Sequence, residues 1–276
     1  MRATIASGGR VPSAAEELLR GGRLDDALDA LTREVRGDPT SAAARMFLFQ
    51  LLAASGQWAR ARVQLEAAAR LDPSNMLSAA AGKALLDAEQ VRTAVVAGER
   101  LPTAFGEPSQ WLASLLQAAR LDGRCEHGAA AALRAQAFEQ APTGSGRIDG
   151  TPFAWLADAD NRLGPCLELV LESGYVWAPF EHIRELAFEA PTTLADTLWA
   201  PVVVTWRNGG QAHGYVPVRY PGSELEADAA LRLGRASDWV QLGEETWIGR
   251  GQRMFATDSG EYPILEVRTI VFDDGG

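Results

Sequence analysis

Gly22-Arg23-Leu24-Asp25-Asp26-Ala27 and Gly56-Gln57-Trp58-Ala59-Arg60-Ala61 stand 34 residues apart, and laying one over the other decides the fold of the first half. Leu31 then falls on Leu65, and Asp38-Pro39 on Asp72-Pro73. After the first glycine, Leu24, Ala27, Leu28, Leu31 and Val35 recur at spacings of three and four, which is one apolar stripe of a helix. Asp-Pro stops that helix, because a residue before proline avoids helical geometry. Upstream, Ser13 followed by Glu16 is a capping box that starts an earlier helix, with Leu18 and Leu19 facing inward. The unit is helix, turn, helix, and it occurs twice.

A period of 34 is that of the tetratricopeptide unit, which usually holds another protein's peptide or helix. In the second copy the pattern predicts helices over about residues 42–55 and 58–71, with Trp58 as the aromatic that opens the second. Ala27 and Ala61 sit where the paired helices cross most closely. Phe49 and Arg45 depart from the common repeat, so the groove is expected to be partly filled. Superposing the repeat puts Ala43, Met46, Gln50, Ala53 and Ala54 on the groove-lining face, and small residues with one adaptable Met suit a docked apolar helix. The alternative is that a second domain covers this face as ordinary core. A further helix is expected over 79–96 and a loop over 101–108. A degenerate third pair, 111–121 and 128–140, closes at Ala141-Pro142 with a turn longer than the repeat allows. About three stacked units are needed to bury their faces.

Thr143-Gly144-Ser145-Gly146 marks a boundary, giving a helical domain over 1–142 and a β-rich domain over 143–276. Beyond it lie six of the eight tryptophans, and alternation replaces helical spacing. Strands are predicted over 167–171, 175–179, 202–206, 212–218, 253–257 and 264–272. Asn208-Gly209 is a two-residue hairpin signal, and Glu172-Ser173-Gly174 and Asp258-Ser259-Gly260 are further turns. The expected class is α+β: a tetratricopeptide-like helical half, then a small antiparallel sheet or partly open barrel.

The 276 residues carry 26 Lys and Arg against 36 Asp and Glu, a net charge of −10, which repels phosphate backbones and argues against nucleic acid as a partner. The only cysteines, Cys125 and Cys166, form no CxxC pair and suggest a reducing compartment. The first twelve residues lack the apolar core of a signal peptide, and no apolar run approaches the ~18 residues of a membrane span. A cytoplasmic protein without membrane contact is expected.

The densest polar cluster is Asp158-Ala159-Asp160-Asn161-Arg162-Leu163-Gly164. Two carboxylates two apart suggest a calcium loop, but Arg162 stands where a ligand oxygen is required and the closing glutamate is missing. The expected role is an ion pair of Asp158 or Asp160 with Arg162 that caps the turn. A hydrolase using either carboxylate would need an open pocket and a raised pKa. Cys125 and His127 lack a third ligand nearby, and a buried thiol beside a surface imidazole is expected. The glycines at 144–146 and 249–251 lack the Lys-Ser/Thr of a phosphate loop. Neither a catalytic residue nor a cofactor or metal site emerges.

Several stretches together resemble the ImpE/TagJ family of type VI secretion accessory proteins. They are Phe47-Leu48-Phe49-Gln50-Leu51-Leu52, Gly56-Gln57-Trp58 with Arg60-Ala61, Gln64-Leu65-Glu66, Gly106-Glu107-Pro108, Ala137-Phe138-Glu139 and Ile148-Asp149-Gly150 with Phe153. The most specific is Asp158-Ala159-Asp160 with Arg162-Leu163-Gly164-Pro165. It is followed by Pro179-Phe180, Asn208-Gly209-Gly210, Arg219-Tyr220-Pro221-Gly222, and Gly251-Gln252-Arg253 with Thr257-Asp258. Met46 and Asn161 are small departures. The resemblance implies a cytoplasmic, non-enzymatic protein that binds the N-terminal helical segment of the small contractile-sheath subunit. It also implies an indirect link to the AAA+ ATPase that disassembles the sheath. Within the second domain, Asp158, Asp160, Arg162, Asn208, Arg219, Tyr220, Gln252 and Arg253 are the family-motif positions, and Asp158, Asp160, Arg162, Arg219 and Arg253 are expected to form its conformational core.

Overall fold

The structure, a computed structural model, describes residues 13–243 and 246–274. It divides into two compact units, Met1–Ala79 and Ala80–Gly276.

The first unit holds α1 (Ala14–Arg20), α2 (Leu24–Gly37), α3 (Ala42–Ala54), α4 (Trp58–Leu71) and the start of α5 (Met76–Val96). Both halves of the Ser13–Glu16 capping box are made, at 3.3 and 3.0 Å. The stripe read from the repeat is the buried face of α2: Leu24, Ala27, Leu28, Leu31 and Val35 are all buried. The two helix pairs turn alike. Gly22 and Gly56 take left-handed φ of 74° and 67°. In each turn the next amide reaches back to satisfy an orphan carbonyl, Arg23 N to Leu18 O and Gln57 N to Leu52 O, both 2.9 Å. Ala27 and Ala61 have no exposed surface, as a close helix crossing demands.

The second unit holds the rest of α5, then α6 (Gln110–Gly123) and α7 (His127–Gln140). Here one expectation is corrected: the α6–α7 turn is not longer than the repeat allows. Arg124-Cys125-Glu126 is a three-residue turn like Ser55-Gly56-Gln57, with the same reach-back bond, Glu126 N to Leu121 O, at 2.9 Å. Cys125 occupies the left-handed position at φ 62°, and Ala130 is buried like Ala61. A third unit is therefore in register, its signal masked by Cys125 for glycine and by buried Arg134 where Leu31 and Leu65 stand.

Strands follow: β1 (Gly146–Ile148), β2 (Thr151–Phe153), β3 (Leu156–Asp158), β4 (Cys166–Leu171), β5 (Gly174–Pro179), β6 (Ile183–Phe188), β7 (Trp199–Trp206) and β8 (Gln211–Pro217). A short helix α8 (Ala229–Arg232) precedes β9 (Ser237–Gln241), β10 (Trp247–Gly251), β11 (Met254–Thr257), β12 (Gly260–Pro263) and β13 (Thr269–Phe272). The main sheet is not small. It has eight antiparallel strands in the order β2-β1-β13-β6-β7-β8-β4-β5, joined by a β9–β10 ribbon and a three-stranded β12-β11-β3 sheet. The main sheet stays open. At one edge β5 pairs with the loop between α5 and α6, with Phe105 N to Trp177 O and Trp177 N to Thr103 O both 2.8 Å. At the other, β2 is three residues long and carries Pro152, which blunts an edge against further pairing.

Two local readings change. The Asn208-Gly209 hairpin has a four-residue loop, closed by Trp206 N to Gly210 O at 2.8 Å and by Asn208 Oδ1 accepting Gly210 N. The last predicted strand is confined to Thr269–Phe272, because Glu266 N turns back to Pro263 O. The turns expected at Glu172-Ser173-Gly174 and Asp258-Ser259-Gly260 are hairpins, each with a two-residue loop that leaves the glycine in the following strand. Among the described residues, no helix is long and apolar enough to cross a membrane.

Candidate functional site

Asp158 ends β3, Glu168 sits inside β4, Tyr220 follows β8, Arg253 precedes β11, and Arg92 projects from the second-unit part of α5. The fold gathers all five into one buried ionic core. The Arg253 guanidinium has no exposed side-chain surface. It binds Asp158 Oδ2 and Glu168 Oε2 with its two terminal nitrogens, and donates Nε to Pro217 O at 2.9 Å. Glu168 is claimed again from α5, Arg92 Nε to Oε1 at 2.8 Å and Nη2 to Oε2 at 2.7 Å, and Arg92 also donates to Arg219 O at 2.7 Å. Tyr175 Oη donates to the same glutamate and accepts from Trp177 Nε1 at 2.7 Å. One turn earlier in α5, Glu89 accepts from Trp199 Nε1 at 2.8 Å. Buried charges survive only when paired and hydrogen-bonded, and here each is.

The Asp158–Arg162 stretch is the hinge between this core and the surface. Asp158 Oδ1 accepts from Asp160 N at 2.9 Å and from Tyr220 Oη at 3.1 Å. Asp160 accepts from the backbone and side chain of Arg162, which is the expected ion pair and turn cap. Its Oδ2 also takes Gly249 N at 3.0 Å, while Asn161 brackets Trp247, accepting from its N at 2.6 Å and donating to its O at 3.0 Å. The polar turn thereby fixes β10. Gly249 lies flat against Tyr220: a Cβ there would stand 2.1 Å from the ring, so only glycine fits. Arg219 and Gln252 join through a bridge between their backbones, and Gln252 Nε2 reaches Gly234 O at 2.7 Å.

Of the eight predicted positions in this domain, seven converge on the core or its rim. Asn208 does not; it serves its own exposed turn. Sequence reading missed Glu168, Arg92, Tyr175 and Glu89. A signal existed for two: a glutamate inside the apolar run Cys166–Leu171, and an arginine in helical phase with Leu85, Ala88 and Val95. Cys166 is buried, and burial pushes its thiol well up, whereas Cys125 is exposed, contrary to the expected buried thiol.

Electrostatically the two carboxylates part. Burial alone would raise Glu168, but Arg92 and then Arg253 outweigh it and hold it well below the usual carboxylate range. Burial dominates at Asp158, Arg253 offsets it only in part and Asp160 adds repulsion, so it is pushed up to about 6. A raised carboxylate is one mark of an active site. Asp158, however, has no exposed side-chain surface. The two described clefts, about 200 and 230 Å³, are lined by other residues. The geometry suits a conformational lock better than general acid–base chemistry, which requires the carboxylate to reach a substrate.

In the first unit, α3 is apolar on nearly every side and correspondingly buried: Ala44, Leu48, Phe49, Leu51, Leu52, Ala53 and Ala54. Of the five groove positions, Ala43 is exposed and Met46 and Gln50 half-buried, whereas Ala53 and Ala54 have no exposed surface. Those two pack; they do not line an open face. Phe47, half-buried at helical spacing between Ala43 and Gln50, was missed. Arg45 binds Pro39 O and Gln64 Oε1, at 2.9 and 2.7 Å, tying α3 to α4.

Comparison with known proteins agrees with both halves. The family described as ImpE protein matches residues 150–271, and a tetratricopeptide repeat family matches residues 18–91. The chain is 46% identical over 265 residues to the type VI secretion system accessory component TagJ of Pseudomonas aeruginosa, covering 96% of this chain and 93% of that one. A crystal structure of a Vibrio parahaemolyticus protein, 24% identical, superposes with a TM-score of 0.87 over 95% of this chain and 98% of the other, which shows the shared fold. The chain belongs to the ImpE/TagJ family of type VI secretion accessory proteins.

Proposed function

We propose that this chain is a cytoplasmic, non-catalytic adaptor of the type VI secretion apparatus. It binds the N-terminal helical segment of the small contractile-sheath subunit and takes part in sheath assembly or recycling, with only an indirect link to the AAA+ disassembly ATPase. The observation that carries this reading is the row of exposed Ala43 and half-buried Met46, Phe47 and Gln50 on a repeat helix whose second half is otherwise buried. Small and flexible side chains there accept an amphipathic helix by burying its apolar stripe. The ionic core of the second unit is the rigid scaffold of the adaptor, with Trp239 and Trp247 on one face of the β9–β10 ribbon as a rival docking surface.

Calorimetric titration with a synthetic peptide of that sheath helix tests the reading. Saturable one-to-one binding, weakened by Met46→Asp but not by a charge placed elsewhere on the surface, supports it. Binding indifferent to Met46→Asp moves the site to the second unit, and no binding at millimolar peptide removes the sheath helix as partner.

A further inference from the structure

The cleft of about 230 Å³ in the second unit lies between the last turns of α5 and the turn that follows β8. Its walls are apolar: Val96 and Ala97 on the helix side, Pro221, Gly222 and the 81% exposed Leu225 on the other. Pro221-Gly222 is the half of the Arg219-Tyr220-Pro221-Gly222 motif that the ionic core leaves unused. The floor is polar. Glu89 and Arg92, one turn apart in α5, both line the cleft with side chains nine-tenths or more buried. Arg92 commits Nε and Nη2 to Glu168 and Arg219 O, and Glu89 commits Oε1 to Trp199. That leaves Arg92 Nη1 and Glu89 Oε2 side by side at 3.6 Å, too long for a hydrogen bond. Neither atom makes a hydrogen bond to another of the described residues. A desolvated donor and acceptor left open in this way reward a ligand that satisfies both.

The pair selects the ligand's chemistry. A carboxylate brought to Nη1 meets Glu89 and Glu224 in the same cleft, and an ammonium brought to Oε2 meets the Arg92 guanidinium. Either one leaves the other floor atom unpaired. A carboxamide carries acceptor and donor on one carbon, so its oxygen takes Nη1 while its nitrogen donates to Oε2. A small free amide leaves Leu225 and Val96 in water, whereas a peptide around the amide covers them. We propose that this cleft is a further docking site, which receives a glutamine or asparagine side chain flanked by apolar residues on a protein partner. It goes beyond the adaptor reading and does not rest on it.

The test is titration of the isotope-labelled full chain with butyramide, followed by amide chemical shifts, with butyrate, butylamine and butanol as matched probes. The expected result is saturable movement of the Val96, Ala97, Gly222 and Leu225 amides with butyramide alone. The synthetic peptide acetyl-Leu-Gln-Leu-amide should move the same amides and bind about tenfold tighter, because its leucines bury Val96 and Leu225. Exchanging its glutamine for glutamate or methionine should lose that binding. Ala97→Phe, at an exposed position, fills the cleft and should abolish binding of both probes, while Met46→Asp should change neither. No movement with butyramide overturns the proposal, as does equal binding of butyrate, butylamine or butanol. A peptide that binds no better than butyramide overturns the protein partner, and binding that survives Ala97→Phe overturns the cleft as its site.

Discussion

Arg92 and Glu168 form a bidentate pair, at 2.8 and 2.7 Å, that joins α5 to β4 across 76 residues of sequence. Both side chains are almost wholly buried, so either one left alone is a desolvated charge with half its partners gone. Arg92→Met or Glu168→Gln should each cost about 3–5 kcal/mol in urea unfolding. Replacing both by Met should cost less than the sum, since neither member of the pair is then left as a buried charge facing the gap of the other. Single losses below about 1 kcal/mol would mean that the pair is peripheral to stability.

The two central carboxylates impose opposite pH dependences. Glu168 is depressed in the fold, so its contribution is present above its unfolded value of 4.5 and is lost as pH falls below it. Asp158 is raised from 3.8 to about 6, so between those values the folded state binds the extra proton, and stability falls as pH rises through 6. The wild-type protein should therefore be more stable near pH 5 than at pH 7.5. Asp158→Asn should flatten that difference, and unfolding midpoints at pH 5, 6 and 7.5 measure it. An identical pH slope in wild type and Asp158→Asn would show that Asp158 does not titrate in this window.

Cys125 sits at φ 62°, where its repeat equivalents are glycine, and a side chain in left-handed geometry is strained. Cys125→Gly should stabilise the second unit by about 1 kcal/mol, and Gly56→Ala should destabilise the first by a similar amount. Thermal melts of the two variants, shifted in opposite directions, are the expected result.

Gly249→Ala should do more damage than its one methyl suggests. The new Cβ meets Tyr220, whose hydroxyl holds Asp158 and Met254 N. Overpacking of this kind costs about 1–3 kcal/mol, and the displaced ring should appear as a changed tyrosine signal in near-ultraviolet dichroism.

The helical half was legible because its signals are local. Gly56, Ala61, Leu65 and Asp72-Pro73 each act within one turn of the chain, and α4 has the bounds read from them. The third helical pair is legible too, but its turn reads as too long because Cys125 and Arg134 replace the two residues that announce a unit, although the backbone geometry is unchanged. In the second unit β4, β5 and β7 were visible as apolar runs. The short β3, β10 and β12 were not: three to five residues, with glycine at 249, 251 and 260, leave no alternation to count. The motif positions Asp158, Asp160, Arg162, Tyr220 and Arg253 were picked out by resemblance, yet Glu168, which Arg253 binds at the centre of the core, was not. A strand's apolar run says that its glutamate must be paired; it does not say with which arginine, 76 or 85 residues away.

The exposure gradient along α3 separates binding from stability. Ala43 is exposed, so Ala43→Arg should change stability by no more than about 0.5 kcal/mol while lowering affinity for the sheath-helix peptide. Ala54 has no exposed surface, so Ala54→Leu should cost about 1–3 kcal/mol of stability through overpacking. The Ala54→Leu molecules that remain folded should bind the peptide as wild type does. Titration below each variant's melting point tests both arms together. If Ala43→Arg also binds normally, the peptide contacts a surface other than the accessible row of α3, and the β9–β10 ribbon, through Trp247→Ala, becomes the next position to change.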